Sequence, residues 1–154
     1  MLRAAGVETV VDVRRFPSSR RNPQFDAAPL RETLASAAIA YLHADELGGR
    51  RSGEPGEERF ACLRVAAFRS YAARMGTQAW QDALAAALAE PAPCFMGAET
   101  LWWRCHRRLI AELLTARRHE VVHLIGAHAR QPHRLYDESD VRGGKLYLCG
   151  ELVA

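Results

Sequence analysis

Lysine is nearly missing from this 154-residue chain: Lys145 is the only one, and the rest of the basic side-chain charge is arginine. No apolar run approaches the length that spans a bilayer, so no membrane partner is expected. Met1-Leu2-Arg3-Ala4-Ala5-Gly6 has no hydrophobic region followed by a cleavage site, and the cytoplasm is the expected compartment. The four cysteines, Cys62, Cys94, Cys105 and Cys149, are widely spaced, and no two form a C-x-x-C pair. That excludes a zinc ribbon or a dithiol redox motif by spacing. A disulfide framework is not expected in a cytosolic chain of this size. There is no internal repeat and no low-complexity tract. The chain is long enough for one domain, 1–154, and too short for two ordinary ones.

What is present is a core and a supply of guanidinium groups. Hydrophobic residues make up 49% and charged residues 25%, which suits a soluble chain with a buried interior. The net charge of +3 is only mildly basic, but arginine is often doubled: Arg14-Arg15, Arg20-Arg21, Arg50-Arg51, Arg107-Arg108 and Arg117-Arg118. Arginine binds carboxylate and phosphate bidentately, so such pairs mark candidate anion sites.

Patterning predicts strands alternating with helices. Val7–Val13 is a β-branched run and reads as a buried strand. Ser18–Phe25 has two prolines and no apolar period, and reads as a loop. A helix starts after Asp26 and runs through Leu30, Leu34 and Ala38, and Ile39–His43 is a second strand. Leu47–Gly56, rich in glycine, is the longest loop. Helices are predicted over Glu57–Met75 and from Thr77 to Leu88, closed by Pro91. Cys94–Gly97 is a short strand, Thr100–Arg118 an amphipathic helix, and Glu120–Ile125 another strand. The tail holds a hairpin around Gly143-Gly144, with Lys145–Cys149 as its second arm. Such alternation implies an α/β fold with a mainly parallel sheet that includes Glu120–Ile125.

Two segments stand out as chemistry-bearing. Asp12, Arg14, Arg15, Ser18, Arg20 and Asn22 directly follow the first strand, at the edge where open α/β sheets bind ligands. Their many donors suit phosphate, carboxylate or a nucleic-acid backbone. The other segment runs from Gly97 to Arg108, between a strand and a helix. Glu99 is a candidate base, His106 a candidate proton carrier near neutral pH, and Cys105 beside arginines a candidate nucleophile. Against this, Trp102, His106, Leu109 and Leu113 share a helical face, where a lone histidine is more often a core residue. Arg107 completes the set.

His119-Glu120-Val121-Val122-His123 matches H-E-x-x-H, and Gly126 and His128 follow it. The motif binds zinc only on a helix, where residues four apart lie about 6 Å from each other. Val121-Val122 and Leu124-Ile125 read as strand, on which the two histidines stand about 13 Å apart. No metal site and no cofactor are expected.

The stretches DVRRFPSSRRNPQF, YLHADELGGRR and GAETLWWRCHRRLIAELL, followed by EVVHLI, together resemble the bacterial and archaeal domain of unknown function 488 family, from Val7 to about Ile125. The resemblance implies an α/β domain with a Rossmann-like, three-layer sheet, and implies no activity. Its pattern highlights Asp12, Arg14, Phe16, Pro17, Ser18 and Phe25, then His43, Leu47, Gly48 and Gly49, then Glu99, Cys105, His106 and Arg107. Two departures stand out. Gly97 occupies the place of a family cysteine, with Cys94 three positions earlier. The family's first strand and helix are also missing, and Met1–Ala5 looks like the end of that helix. A sheet lacking that strand, with an apolar edge or groove beside Val7–Val13, is the corresponding expectation.

Three functions remain open at this point. The first is an enzyme acting on a small phosphorylated or nucleotide-like anion. The second is a nucleic-acid-binding module using its arginines with Phe16, Phe25, Trp102 and Trp103. The third is a non-catalytic ligand sensor. A closed pocket suits the first and third, and a continuous basic stripe suits the second.

Overall fold

The computed structural model describes residues 1–126 and 129–154. Its centre is a parallel sheet of three strands in the order β2-β1-β3: β1 (Thr9–Asp12), β2 (Ala40–His43) and β3 (Pro93–Met96). All four β1 residues are buried, which is why this segment reads as an unbroken run and not as an alternation. Successive side chains leave opposite faces of a strand. Val10 accordingly joins Leu30, Leu34 and Ile39, on and just after α1 (Ala27–Ser36). Val11 and Val13 enter the larger cluster on the other side. That cluster holds Tyr71 and Met75 from α2 (Ala66–Met75), Trp80 and Leu84 from α3 (Gln78–Ala89), and Leu109 and Leu113 from α4 (Arg107–Ala116). The fold is thus mixed α/β, with four α-helices among the described residues and helices contributing to the core on both faces of a parallel sheet.

Local signals explain several boundaries. The Thr77 hydroxyl oxygen accepts from the Trp80 amide at 3.4 Å, capping α3 as its sequence position suggests. The tail hairpin pairs β6 (Ser139–Arg142) with β7 (Lys145–Leu148), turning on Gly143 and Gly144 at φ 58° and 78°. Positive φ at both turn residues is what a tight two-residue hairpin needs, and glycine supplies it. A short β8 (Glu151–Leu152) extends this sheet.

Four expectations are corrected. The segment expected as a fourth parallel strand forms β4 (Val122–Ile125), which pairs antiparallel with β5 (Ala129–Pro132) in a separate ribbon. Its partner lies only a few residues away, so pairing costs little chain entropy, whereas a parallel partner needs a crossover. The helix expected over Glu57–Met75 is broken. A 3-10 turn spans Glu57–Phe60, and α2 begins only after the extended Val65. Phe60 and Leu63 are both buried, so their spacing reflects two turns and not one continuous helix. The helix expected from Thr100 is likewise a 3-10 turn over Trp102–Arg104 followed by α4, because Cys105 is extended at φ −110°, ψ 149°. Finally, Cys62 and Cys149, 87 residues apart, form a disulfide, while Cys94 and Cys105 are free. Wide sequence spacing gave no sign of a pair that only the fold brings together.

An apolar groove of about 970 Å³ has Val7, Val10, Leu30, Leu34, Cys94 and Met96 on its wall. β1 nevertheless has strand partners on both sides. No helix among the described residues is long and apolar enough to cross a membrane.

Candidate functional site

The parallel register sets Asp12 level with His43 on β2 and Met96 on β3, so all three strand ends open on one edge. The residues beyond them meet there. The Val13 carbonyl accepts from His106 Nε2 at 3.1 Å, and the Arg14 carbonyl accepts from His43 Nε2 at 2.9 Å. A carbonyl can only accept, so both rings carry a proton on Nε2.

The glycine pair after β2 closes the gap between the segments. A Cβ on Gly48 would lie 2.9 Å from the Arg15 backbone, and one on Gly49 would lie 2.5 Å from His106 Nδ1. Only hydrogen fits at either place. The Leu47 carbonyl that leads into this pair accepts from the Tyr71 hydroxyl at 2.8 Å, and that hydroxyl in turn accepts from Trp80 Nε1 at 3.2 Å. The Tyr71 and His106 rings are 5.0 Å apart. Arg51 ties the same loop to itself through the Gly48 and Asp45 carbonyls, each at 3.1 Å.

Extended Cys105 lets the third segment fold back on itself. Ligand atoms of Glu99, Cys105 and His106 all lie within 4.8 Å of one another. Cys105 Sγ is 3.5 Å from His106 Nδ1, and Arg107 Nε donates to the same sulfur at 3.4 Å. Arg107 also donates to the Glu99 carbonyl. Burial, reinforced by the bond to Glu99, pushes the Cys105 thiol up despite Arg107. Burial works against ionisation of Glu99, but the bond from Cys105 and the charge of Arg107 outweigh it and hold the carboxyl low. His106 is pushed down to about 4 by burial, with Glu99 opposing. It is therefore neutral at physiological pH. Desolvation thus favours the neutral ring, and His106 stands just before α4 and not within the helix on its apolar stripe.

The first segment divides. Asp12, fully buried, accepts from Arg14 Nε at 2.8 Å, Arg14 Nη2 at 2.6 Å, the Arg14 amide at 3.1 Å and the Tyr41 hydroxyl at 2.7 Å. Arg14 is thereby committed to its own strand end, and Tyr41 is pushed up to about 12 by burial and by Asp12. Arg15 is exposed and reaches only the Arg50 carbonyl, at 3.2 Å. Ser18, Arg20 and Asn22 are exposed, and no hydrogen bond among the described residues ties their side chains to the cluster. Tyr41 and Tyr71 carry no site signal of their own in the sequence, and Arg51 stands out there only as half of a doubled arginine. Tyr41 stands two positions before His43 on one strand face, which is the signal that was available for it.

The aromatic residues also divide. Phe16, Phe25 and Trp103 are exposed, but Trp102 is buried and stacks flat on His123, ring centroids 3.7 Å apart. His119–Val121 is not helical and Val122–Ile125 is strand, so the H-E-x-x-H match lacks the helix its chemistry requires. His123 Nε2 meets His133 Nδ1 at 2.9 Å. His128 lies outside the described residues.

A three-stranded parallel sheet with a polar cluster beyond its carboxyl ends defines an α/β domain with a strand-end site. The chain matches the family model "Domain of unknown function DUF488" over residues 1–114 and belongs to that family. No curated protein and no solved structure matches it significantly.

Proposed function

We propose that the chain is an enzyme acting on a small phosphorylated or nucleotide-like anion at the carboxyl ends of β1, β2 and β3, with the Rossmann-like layering of a single domain as its scaffold. One observation carries this reading: Val13, Gly49 and His106, from three separate segments, meet within hydrogen-bond or contact distance, beside the Glu99–Cys105–His106 cluster. Parallel sheets place ligands at this edge. Arg15 and Arg107 supply positive charge, and Arg15 has a guanidinium largely free of protein partners. Of the three clustered groups, Glu99 is the one held ionised and exposed, and so is the proton acceptor when no ion is bound. Asp12 and Arg14 keep the strand end in shape by pairing with each other. The reading takes the chain to work in the cytoplasm.

The test is a thermal-shift panel of nucleotides, sugar phosphates and short oligonucleotides, since a ligand of the native state raises the melting temperature. A nucleotide or sugar phosphate should stabilise the protein, and Arg15→Ala should weaken that effect at least tenfold in ligand concentration. Stabilisation by oligonucleotides alone, weakening steeply with salt, would replace this reading with nucleic-acid binding.

A further inference from the structure

We propose that Glu99, Cys105 and His106 form a zinc site that leaves its fourth position open. The proposal deepens the reading of this cluster as a reacting centre and assigns what the centre holds. The three side chains offer a carboxylate, a sulfur and an imidazole nitrogen, and these atoms fall within 4.8 Å of one another. Zinc takes such mixed ligands, with sulfur about 2.3 Å and nitrogen about 2.0–2.1 Å from the metal. At a tetrahedral angle those bonds put sulfur and nitrogen about 3.6 Å apart. Cys105 Sγ and His106 Nδ1 are 3.5 Å apart.

The surroundings of each ligand support the assignment. His106 donates its Nε2 proton to the Val13 carbonyl, so its lone pair is on Nδ1, the nitrogen that faces the sulfur. A hydrogen bond on the far side of the ring is how proteins orient a metal-binding histidine. Arg107 Nε donates to Cys105 Sγ, so the sulfur is already an acceptor, as a coordinated thiolate would be. Gly49 and Gly97 border the two ligand atoms: a Cβ at Gly97 would fall 2.9 Å from Sγ, and one at Gly49 would fall 2.5 Å from Nδ1. At both places the backbone approaches the ligand atom with only a hydrogen between, and a larger residue would displace it. Glu99 is exposed, which gives the ion a way in.

The charges also balance. The Cys105 thiol gives its proton to solvent as the sulfur–zinc bond forms, so a dication meets one thiolate and one carboxylate. Arg107 remains as net positive charge beside the open position. That position takes water, or an oxygen of an anionic substrate, which a three-ligand zinc ion polarises. The H-E-x-x-H match played no part in this site, and His123 serves as its control.

The experiment uses zinc alone. The full chain is stripped with a chelator under reducing conditions, dialysed against zinc with a competing chromophoric chelator, and its metal content is measured. Cobalt replaces zinc in a parallel sample for spectroscopy. One zinc per chain is expected. Glu99→Gln and Cys105→Ser should each weaken binding at least tenfold, and His123→Ala should leave it unchanged. The cobalt form should show a thiolate charge-transfer band that Cys105→Ser abolishes. Because Glu99 is exposed, Glu99→Gln reports on binding even if Cys105→Ser fails to fold. Substoichiometric zinc, or affinity and spectra indifferent to Glu99 and Cys105, would overturn the proposal. The ligand panel of the preceding section, run with chelator present, fails or succeeds independently of this result.

Discussion

Replacing Asp12 by alanine is the sharpest test of how the strand end is held. The carboxylate is fully buried and accepts four hydrogen bonds, three of them from Arg14 and one from Tyr41. Arg14 is only 8% exposed, so its guanidinium cannot recover water without leaving its place. Removing one member of a buried pair strands the other charge and costs about 3–5 kcal/mol. Typical domains are stable by only about 5–15 kcal/mol, so much of the total is at stake. For a chain of this size the loss corresponds to a fall of roughly 6–20 °C in melting temperature. Urea denaturation of Asp12→Ala should show the loss as a lower midpoint with an unchanged slope. The double variant Asp12→Leu with Arg14→Met removes both charges and should recover most of the stability. A loss below about 1 kcal/mol for Asp12→Ala would mean that Arg14 swings out to solvent, and would refute the view of this pair as an internal support.

Three further outcomes follow from the same geometry. His106 is held neutral with its pKa lowered to about 4, so the unfolded chain binds its proton first; stability should be full above about 6.5 and fall by roughly 3 kcal/mol as pH drops to 4, and an NMR titration placing His106 near 6.5 would contradict this. Reducing the Cys62–Cys149 disulfide, which closes a separation of 87 residues, should cost roughly 2–4 kcal/mol; Cys62→Ser should match the reduced protein, and equal melting of the oxidised and reduced forms would show the link to be absent. Gly49→Ala places a methyl group 2.5 Å from His106 Nδ1 and should destabilise by about 1–3 kcal/mol while shifting the His106 ring resonances; unchanged resonances would show that the loop does not pack there.

The parallel sheet was legible because its signals are local. A β-branched run between Gly6 and Arg14-Arg15 announced β1, the short apolar run Ile39–His43 announced β2, and Thr77 and Pro91 bracketed α3. The breaks at Ala61–Val65 and at Cys105 were not legible, because apolar residues keep a helical spacing across them while the backbone does not. That second break decided the site. A continuous helix would have buried His106 on a stripe, whereas an extended Cys105 turns the sulfur back toward Glu99. The segments with candidate site residues could be picked out by residue type, but their division into internal support and open surface could not. Arg14 and Arg15 are neighbours of identical chemistry. One is locked to Asp12 and the other faces solvent, and only the direction of each side chain at the end of β1 separates them.

The two imidazoles at the end of β1 act as a vernier. Val13 and Arg14 present consecutive carbonyls, which point to opposite sides of an extended chain, and each is taken by a histidine from a different part of the sequence. A slip of one residue along β1 would hand each histidine the wrong carbonyl as well as turning Val10 and Val11 to the wrong layers. Adding or deleting a residue between Thr9 and Val13 is therefore penalised twice, once by the core and once by the imidazoles. A residue inserted at the Gly143-Gly144 turn meets neither penalty, so length variation in this chain belongs there and not at the mouth of the sheet.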